Sequence, residues 1–96
     1  MTIWVTLEMR VKDGAFDALS AFLEVSLPNV RGFDGALSVT LYYDAQTMAF
    51  LIHEEWLSRE HHQAYLAFIE ERGVMAALLG FMEGPPKVTY YDRLVV

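Results

Sequence analysis

The sequence predicts an α+β domain in the order β-α-β-β-α-β, spread as one domain over residues 1–96. Three observations predict it. Strand-length stretches alternate apolar and polar residues at a period of two. Two longer stretches repeat their apolar residues at three and four. Gly, Pro or Asp breaks the chain between them.

The first strand covers 3–11, with Ile3, Val5, Leu7, Met9 and Val11 on one face and Trp4, Thr6, Glu8 and Arg10 on the other. Asp13-Gly14 follows, and Asp13 is placed to cap a helix by accepting from a free backbone N–H. Phe16, Leu19, Leu23, Ser26/Leu27 and Val30 carry the helical spacing. Pro28 is expected to kink or end that helix, since it lacks the N–H and crowds the preceding turn. Gly32 and Gly35 mark a loop. Leu37, Val39, Leu41 and Tyr43 alternate in a second strand at 36–44, and 47–57 is a third apolar run. Asp44-Ala45-Gln46 between them has hairpin length. Ser58 reads as the N-cap of a second helix at 59–72, which Gly73 stops. A short extra turn or two at 74–80, the Gly84-Pro85-Pro86 break and a last strand at 87–95 complete the chain.

This order is the split βαβ arrangement of ferredoxin-like domains, with both helices on one face of a four-stranded antiparallel sheet. The third strand carries Met48, Phe50, Ile52 and Trp56 on one face and Leu51 and Leu57 on the other. The uncovered face is therefore expected to be apolar and to bind a partner, with a symmetric homodimer, sheet against sheet, as the expected solution. Composition points the same way. The hydrophobic share is 54%, and a small domain buries a limited fraction of its surface, so self-association or an internal cavity should absorb the excess.

Seven Lys and Arg against 13 Asp and Glu give a net charge of −6, which lacks the electrostatic footprint of nucleic-acid binding. No uncharged apolar run is long enough to span a membrane. Glu8 and Arg10 interrupt the N-terminal apolar stretch, which has no basic leader and does not read as a signal peptide. The absence of cysteine excludes disulfides, thiolate nucleophiles and Cys-ligated metal. All of this is compatible with a cytoplasmic protein.

The second helix carries polar groups where apolar ones belong. At 100° per residue, Arg59, Glu60, Gln63, Glu70 and Glu71 form a solvated arc, opposite Leu66, Phe68 and Ile69. His61, Tyr65 and Arg72 fall in the middle of the apolar arc, and His62 on its flank. Each alone is explained as a satisfied core group, Arg72 bridged to Glu54 for example. Four on one stripe, above a strand with Glu54 and Trp56 on a common face, point to a small-molecule pocket between helix and sheet. A metal is not expected: adjacent histidines on a helix diverge by about 100°, and no HExxH-type spacing is present. His53 is assigned to the face opposite Glu54 and so to the dimer interface, and no Ser-His-Asp arrangement or phosphate loop is visible.

The strand ending Glu54-Glu55-Trp56, then Ser58 and a helix with His62 and Tyr65, resembles the antibiotic biosynthesis monooxygenase (ABM) superfamily over nearly the whole chain. The segment Leu79-Gly80-Phe81-Met82-Glu83-Gly84-Pro85-Pro86-Lys87 is similar to the loop before the final strand of the cofactor-free polyketide anthrone monooxygenases. The resemblance implies a ferredoxin-like subunit in a dimeric α/β barrel. Trp56 matches the family's pocket tryptophan. His62 falls where the anthrone enzymes have a pocket tyrosine, and Tyr65 where quinol-oxidising relatives have a histidine. Ile52 replaces the asparagine those enzymes place four residues before the tryptophan. Haem-degrading relatives have a second tryptophan at the position of Tyr65 and an axial histidine beyond Arg72, which this chain lacks.

By resemblance, the expected activity is oxidation of a small phenol, hydroquinone or anthrone by O₂ with no cofactor. A base takes a substrate proton, because the anion gives an electron to O₂ more readily, and water-excluding walls confine the intermediates. His62 or His61 is expected as base, Tyr65 as hydrogen-bond partner of the substrate oxygen, and Trp56 as a stacking surface. Arg72 would stabilise the anion, and Glu54, Ile52 and Phe68 would complete the binding surface. The alternative is a non-catalytic dimeric barrel that binds a small aromatic molecule or serves in a stress response.

Overall fold

A computed structural model describes residues 1–96. The alternating stretches form β1 (Ile3–Arg10), β2 (Ala36–Asp44), β3 (Ala49–Trp56) and β4 (Lys87–Asp92). The stretches with helical spacing form α1 (Phe16–Arg31) and α2 (Arg59–Glu71), and α3 (Val74–Leu79) is the short helix expected after Gly73. The sheet is antiparallel throughout, in the order β2-β3-β1-β4. This is the ferredoxin-like α+β fold. No helix is long and apolar enough to cross a membrane.

Register places Val5 beside Glu54 and Tyr90, and Leu7 beside Ile52 and Val88. Val5, Leu7, Met9, Phe50, Ile52 and Trp56 turn to the helices and form most of the buried sheet surface. Leu19 and Val30 of α1 close over them. Burying a side chain of this kind is worth about 1.5–3 kcal/mol. Beyond β1 the closing segment is pinned to its end: Lys12 donates to the Phe81 carbonyl at 2.8 Å, and Glu83 to that of Arg10 at 2.8 Å. Met82 is thereby buried beside Val11.

Local chemistry departs from expectation at five places. The N-cap of α1 is Ala15, with no side-chain cap; Asp13 is exposed and caps nothing. α1 runs through Pro28 to Arg31. Pro28 and Glu24 both lie on the exposed side, so the missing N–H leaves Glu24's carbonyl to water, one turn from the helix end. In β2 a bulge between Ala36 and Ser38 inserts Leu37, which is 49% exposed, so the alternation starts only at Val39. The hairpin is longer than expected: Asp44 pairs with Ala49, and Met48 takes φ +63° with its N–H on the Asp44 carbonyl. β4 ends at Asp92 rather than 95.

The uncovered sheet face also differs. Thr40, His53, Thr6 and Thr89 form one row across it, and Ser38, Glu55, Trp4 and Tyr91 the next. Only Leu51 of the expected apolar groups lies within the strands there, because Leu57 falls beyond the end of β3. The face is a mixture of aromatic and polar groups rather than a hydrocarbon surface. The strands flanking β3 supply threonines and serine where the third strand alone suggested leucine.

Candidate active site

A cavity lies between the sheet and α2, and three helices roof it. α1 contributes Phe22, Leu23 and Leu27, α3 contributes Met75 and Leu78, and the floor is Leu7, Val39, Leu41 and Ile52. The cavity measures about 50 Å³ for the centre of a water-sized sphere. On that measure one water needs roughly 10–15 Å³, so the space holds a few waters. Fourteen of its 17 lining residues are hydrophobic; the polar exceptions include Glu54 and His62 together with Ser26, and the phenol of Tyr65 adds a fourth polar group.

Glu54 and His62 are both buried, with side chains 5% and 0% exposed. Alternation in β3 turns Glu54 inward beside Trp56, whose Nε1–H donates to Glu54 Oε1 at 3.0 Å. On α2, Ser58 accepts from the His61 N–H and fixes the first turn, which sets His62 over the sheet. His62 Nε2 lies 3.4 Å from Glu54 Oε1, off the line of a hydrogen bond, and has no other partner. Its Nδ1 is 2.7 Å from the Tyr90 hydroxyl. Burying such groups unpaired is costly; Trp56 satisfies Glu54 Oε1 and Tyr90 satisfies His62 Nδ1, while His62 Nε2 has only the approach of Glu54, so that β3, α2 and β4 meet along Trp56–Glu54–His62–Tyr90.

Tyr65 is half-buried at the edge of the cavity. Burial, and secondly the Glu54 carboxylate, pushes its phenol up to about 12. Burial also raises Tyr90, partly offset by the Arg59 guanidinium 4.5 Å over its ring. An unfolded phenol ionises near pH 10, so between about pH 10 and 12 the folded chain holds the Tyr65 proton while the unfolded chain releases it. The resulting stability is full below about pH 10 and is lost as the pH rises to about 12. Urea unfolding on either side of this window is expected to show a smaller loss for Tyr65→Phe than for the wild type. Equal losses would remove Tyr65 from the effect.

The other expected site residues lie elsewhere. His61 is turned out of the cavity: its Nδ1 is 2.6 Å from Ser58 Oγ and its Nε2 3.9 Å from Asp34. It packs on Gly35, where φ is +89° and any Cβ would sit 2.5 Å from the imidazole. Arg72 is exposed and stacks on Phe68, 3.8 Å from the ring centre, rather than on Glu54. Phe68 is itself 37% exposed and packs against Phe33 outside the cavity wall. Trp56 is fully buried behind the wall, against His62 and Tyr65, so its contact is with Glu54 rather than with the cavity. The three displacements among the helix residues have one cause: α2 lies on the sheet along the His62–Ile69 line, about 70–110° of helix rotation from His61, Arg72 and Phe68. Tyr90 was missed by sequence reasoning. Its only signal is the even spacing with Val88 in the last strand, and the pattern does not say which residue of the second helix meets it. No three His, Asp or Glu side chains converge as a metal site requires.

No family model and no curated protein matches the chain by sequence. Solved structures do match it in shape. Rv0793 from Mycobacterium tuberculosis superposes with a TM-score of 0.83 at 22% identity, over 100% of this chain and 98% of that one. A candidate antibiotic biosynthesis monooxygenase from Bordetella bronchiseptica gives 0.85 at 14% identity, over 98% of both chains. A third structure, described as an antibiotic biosynthesis monooxygenase, gives 0.84 at 17% identity, over 97% of this chain and 99% of that one. The chain has the fold of the antibiotic biosynthesis monooxygenases. The resemblance seen in the sequence is thus met at the level of shape.

Proposed function

We propose that the chain is a monooxygenase of the ABM type that oxidises a small phenol, hydroquinone or anthrone-like aromatic with O₂ and no cofactor, working as a homodimer. The observation that carries the reading is the convergence of a buried carboxylate–imidazole pair and a phenol on one mostly hydrocarbon cavity. The Glu54–His62 pair takes the proton of the substrate, Tyr65 keeps its own proton and donates to the substrate oxygen, and the apolar walls exclude water. The substrate anion passes an electron to O₂. In an anthrone-like substrate the methylene loses two hydrogens and gains one oxygen atom, and the second oxygen leaves with those hydrogens as water. The cavity is narrow, so entry of a ring displaces lining side chains, of which Met75 is the most adaptable.

The homodimer reading is supported by the open sheet face, where Trp4, Tyr42 and Tyr91 stand among polar groups as in protein interfaces. At its centre the Thr6 hydroxyl is buried without a partner. Sedimentation is expected to give twice the 11.0 kDa chain mass, and Trp4→Glu is expected to reduce it to one; a wild-type monomer would end the homodimer reading.

The function is tested by oxygen consumption with hydroquinone and anthrone-like substrates. Saturable uptake is expected. Saturable binding without uptake would instead identify a non-catalytic binding protein using the same cavity.

A further inference from the structure

We infer that Tyr90 is a positioning residue: its hydroxyl donates to Nδ1 of His62 and, with Glu54 facing Nε2, holds the ring with its proton on Nε2, which leaves Glu54 as the group that accepts the proton of the substrate. Only the kinetic part of this inference rests on the oxygenase reading.

His62 is fully buried, and each ring nitrogen faces one group. Nδ1 meets the Tyr90 hydroxyl at 2.7 Å. Nε2 faces Glu54 Oε1 at 3.4 Å, an oxygen that already accepts from Trp56. A neutral imidazole has one donor and one acceptor nitrogen. A lone pair on Nε2 would oppose the carboxylate oxygen, whereas an N–H there is attracted to it. The proton therefore belongs on Nε2, and Nδ1 is the acceptor of the Tyr90 O–H. Burial holds the proton on the Tyr90 phenol, which keeps it a donor.

This arrangement divides the work. With Nε2 protonated, His62 has no lone pair to offer the cavity and cannot itself be the base. Its N–H faces Glu54 Oε1, and the indole N–H donates to the same oxygen, so neither contact uses Oε2. Glu54 lines the cavity. The transfer is then a single proton from the substrate, the O–H of a phenol or hydroquinone or the methylene C–H of an anthrone, to the Glu54 carboxylate, which becomes a neutral acid as the substrate becomes an anion. Tyr90 does not line the cavity and touches no substrate; it acts through the imidazole. The charged and titratable groups around the pair are Glu54 on β3, Arg59 and Tyr65 on α2, and Tyr90 on β4.

The test is Tyr90→Phe, which keeps the ring under Arg59 and against His62 and removes only the hydroxyl. Nitrogen-15 NMR of the histidine rings in ligand-free protein is expected to show wild-type His62 with Nδ1 unprotonated and hydrogen-bonded and Nε2 protonated. In Tyr90→Phe the Nδ1 resonance should move to the position of a nitrogen without a donor. A protonated Nδ1 in the wild type, or an unmoved Nδ1 in the variant, would overturn the inference whether or not the protein consumes oxygen. Given turnover, kcat of Tyr90→Phe is expected to fall on the order of tenfold with KM within about twofold. Tyr90→Leu should lose the same amount in kcat, since the hydroxyl and not the ring is responsible. Wild-type kcat in Tyr90→Phe would also refute it. If the protein takes up no oxygen at all, the oxygenase reading fails and the resonances alone decide the role of Tyr90.

Discussion

Glu54→Gln is expected to lower oxygen consumption by about a hundredfold or more while leaving the fold intact. The amide has the shape of the carboxylate, and its oxygen still accepts from Trp56 Nε1–H. It cannot take a proton at any ordinary pH. General-base contributions of this kind are worth about 10²–10⁴ in rate, so the loss should appear in kcat. Stability should move little in either direction, because replacing a buried charge by a neutral isostere removes a desolvation cost together with an attraction. Comparing the oxygen-uptake rate with the thermal midpoint of the same preparation separates the two effects. A Glu54→Gln protein that turns over at the wild-type rate would show that the proton goes elsewhere.

The second large effect is on stability. Trp56→Ala is expected to cost about 3–5 kcal/mol, the range for truncating a buried aromatic ring. Trp56 is fully buried and touches Phe33, His62 and Tyr65. Its removal also takes the donor from Glu54 Oε1, leaving a buried carboxylate with a single imidazole for company. Domains of this size have about 5–15 kcal/mol in total. At about 4–8 °C per kcal/mol, the melting temperature should fall by tens of degrees. Trp56→Phe keeps most of the volume and loses only the N–H, so its cost should be well below that of the alanine variant. A loss of less than about 1 kcal/mol in Trp56→Ala, measured by urea unfolding, would mean that the wall behind the cavity is not packed as described.

Much of the fold was legible because it depends on periods that need no partner. Ile3 to Met9 alternate whatever lies above them, and the Ser58 cap and the Gly73 stop act within one turn of chain. Local signals failed where a neighbour or solvent decided the outcome. Leu37 is pushed out of phase by a bulge against β3, and Pro28 is accepted because its side of α1 faces water. Leu51 was a true apolar group on the open face, but the rows flanking it come from strands whose pairing the sequence did not state.

The same division runs through the site. Composition and pattern alone determined that the apolar arc of the second helix carries polar groups, that Glu54 and Trp56 share a face of their strand, and that the chain folds as β-α-β-β-α-β. They fixed the angles between helix residues but not the zero of that angle. Only packing against the sheet set the rotation of α2, putting His62 at the centre and His61, Phe68 and Arg72 outside. Only the sheet order brought β4 beside β1 and Tyr90 onto His62. A period is a property of one segment, whereas a rotation about its axis and a neighbour across a sheet are minima of the whole core.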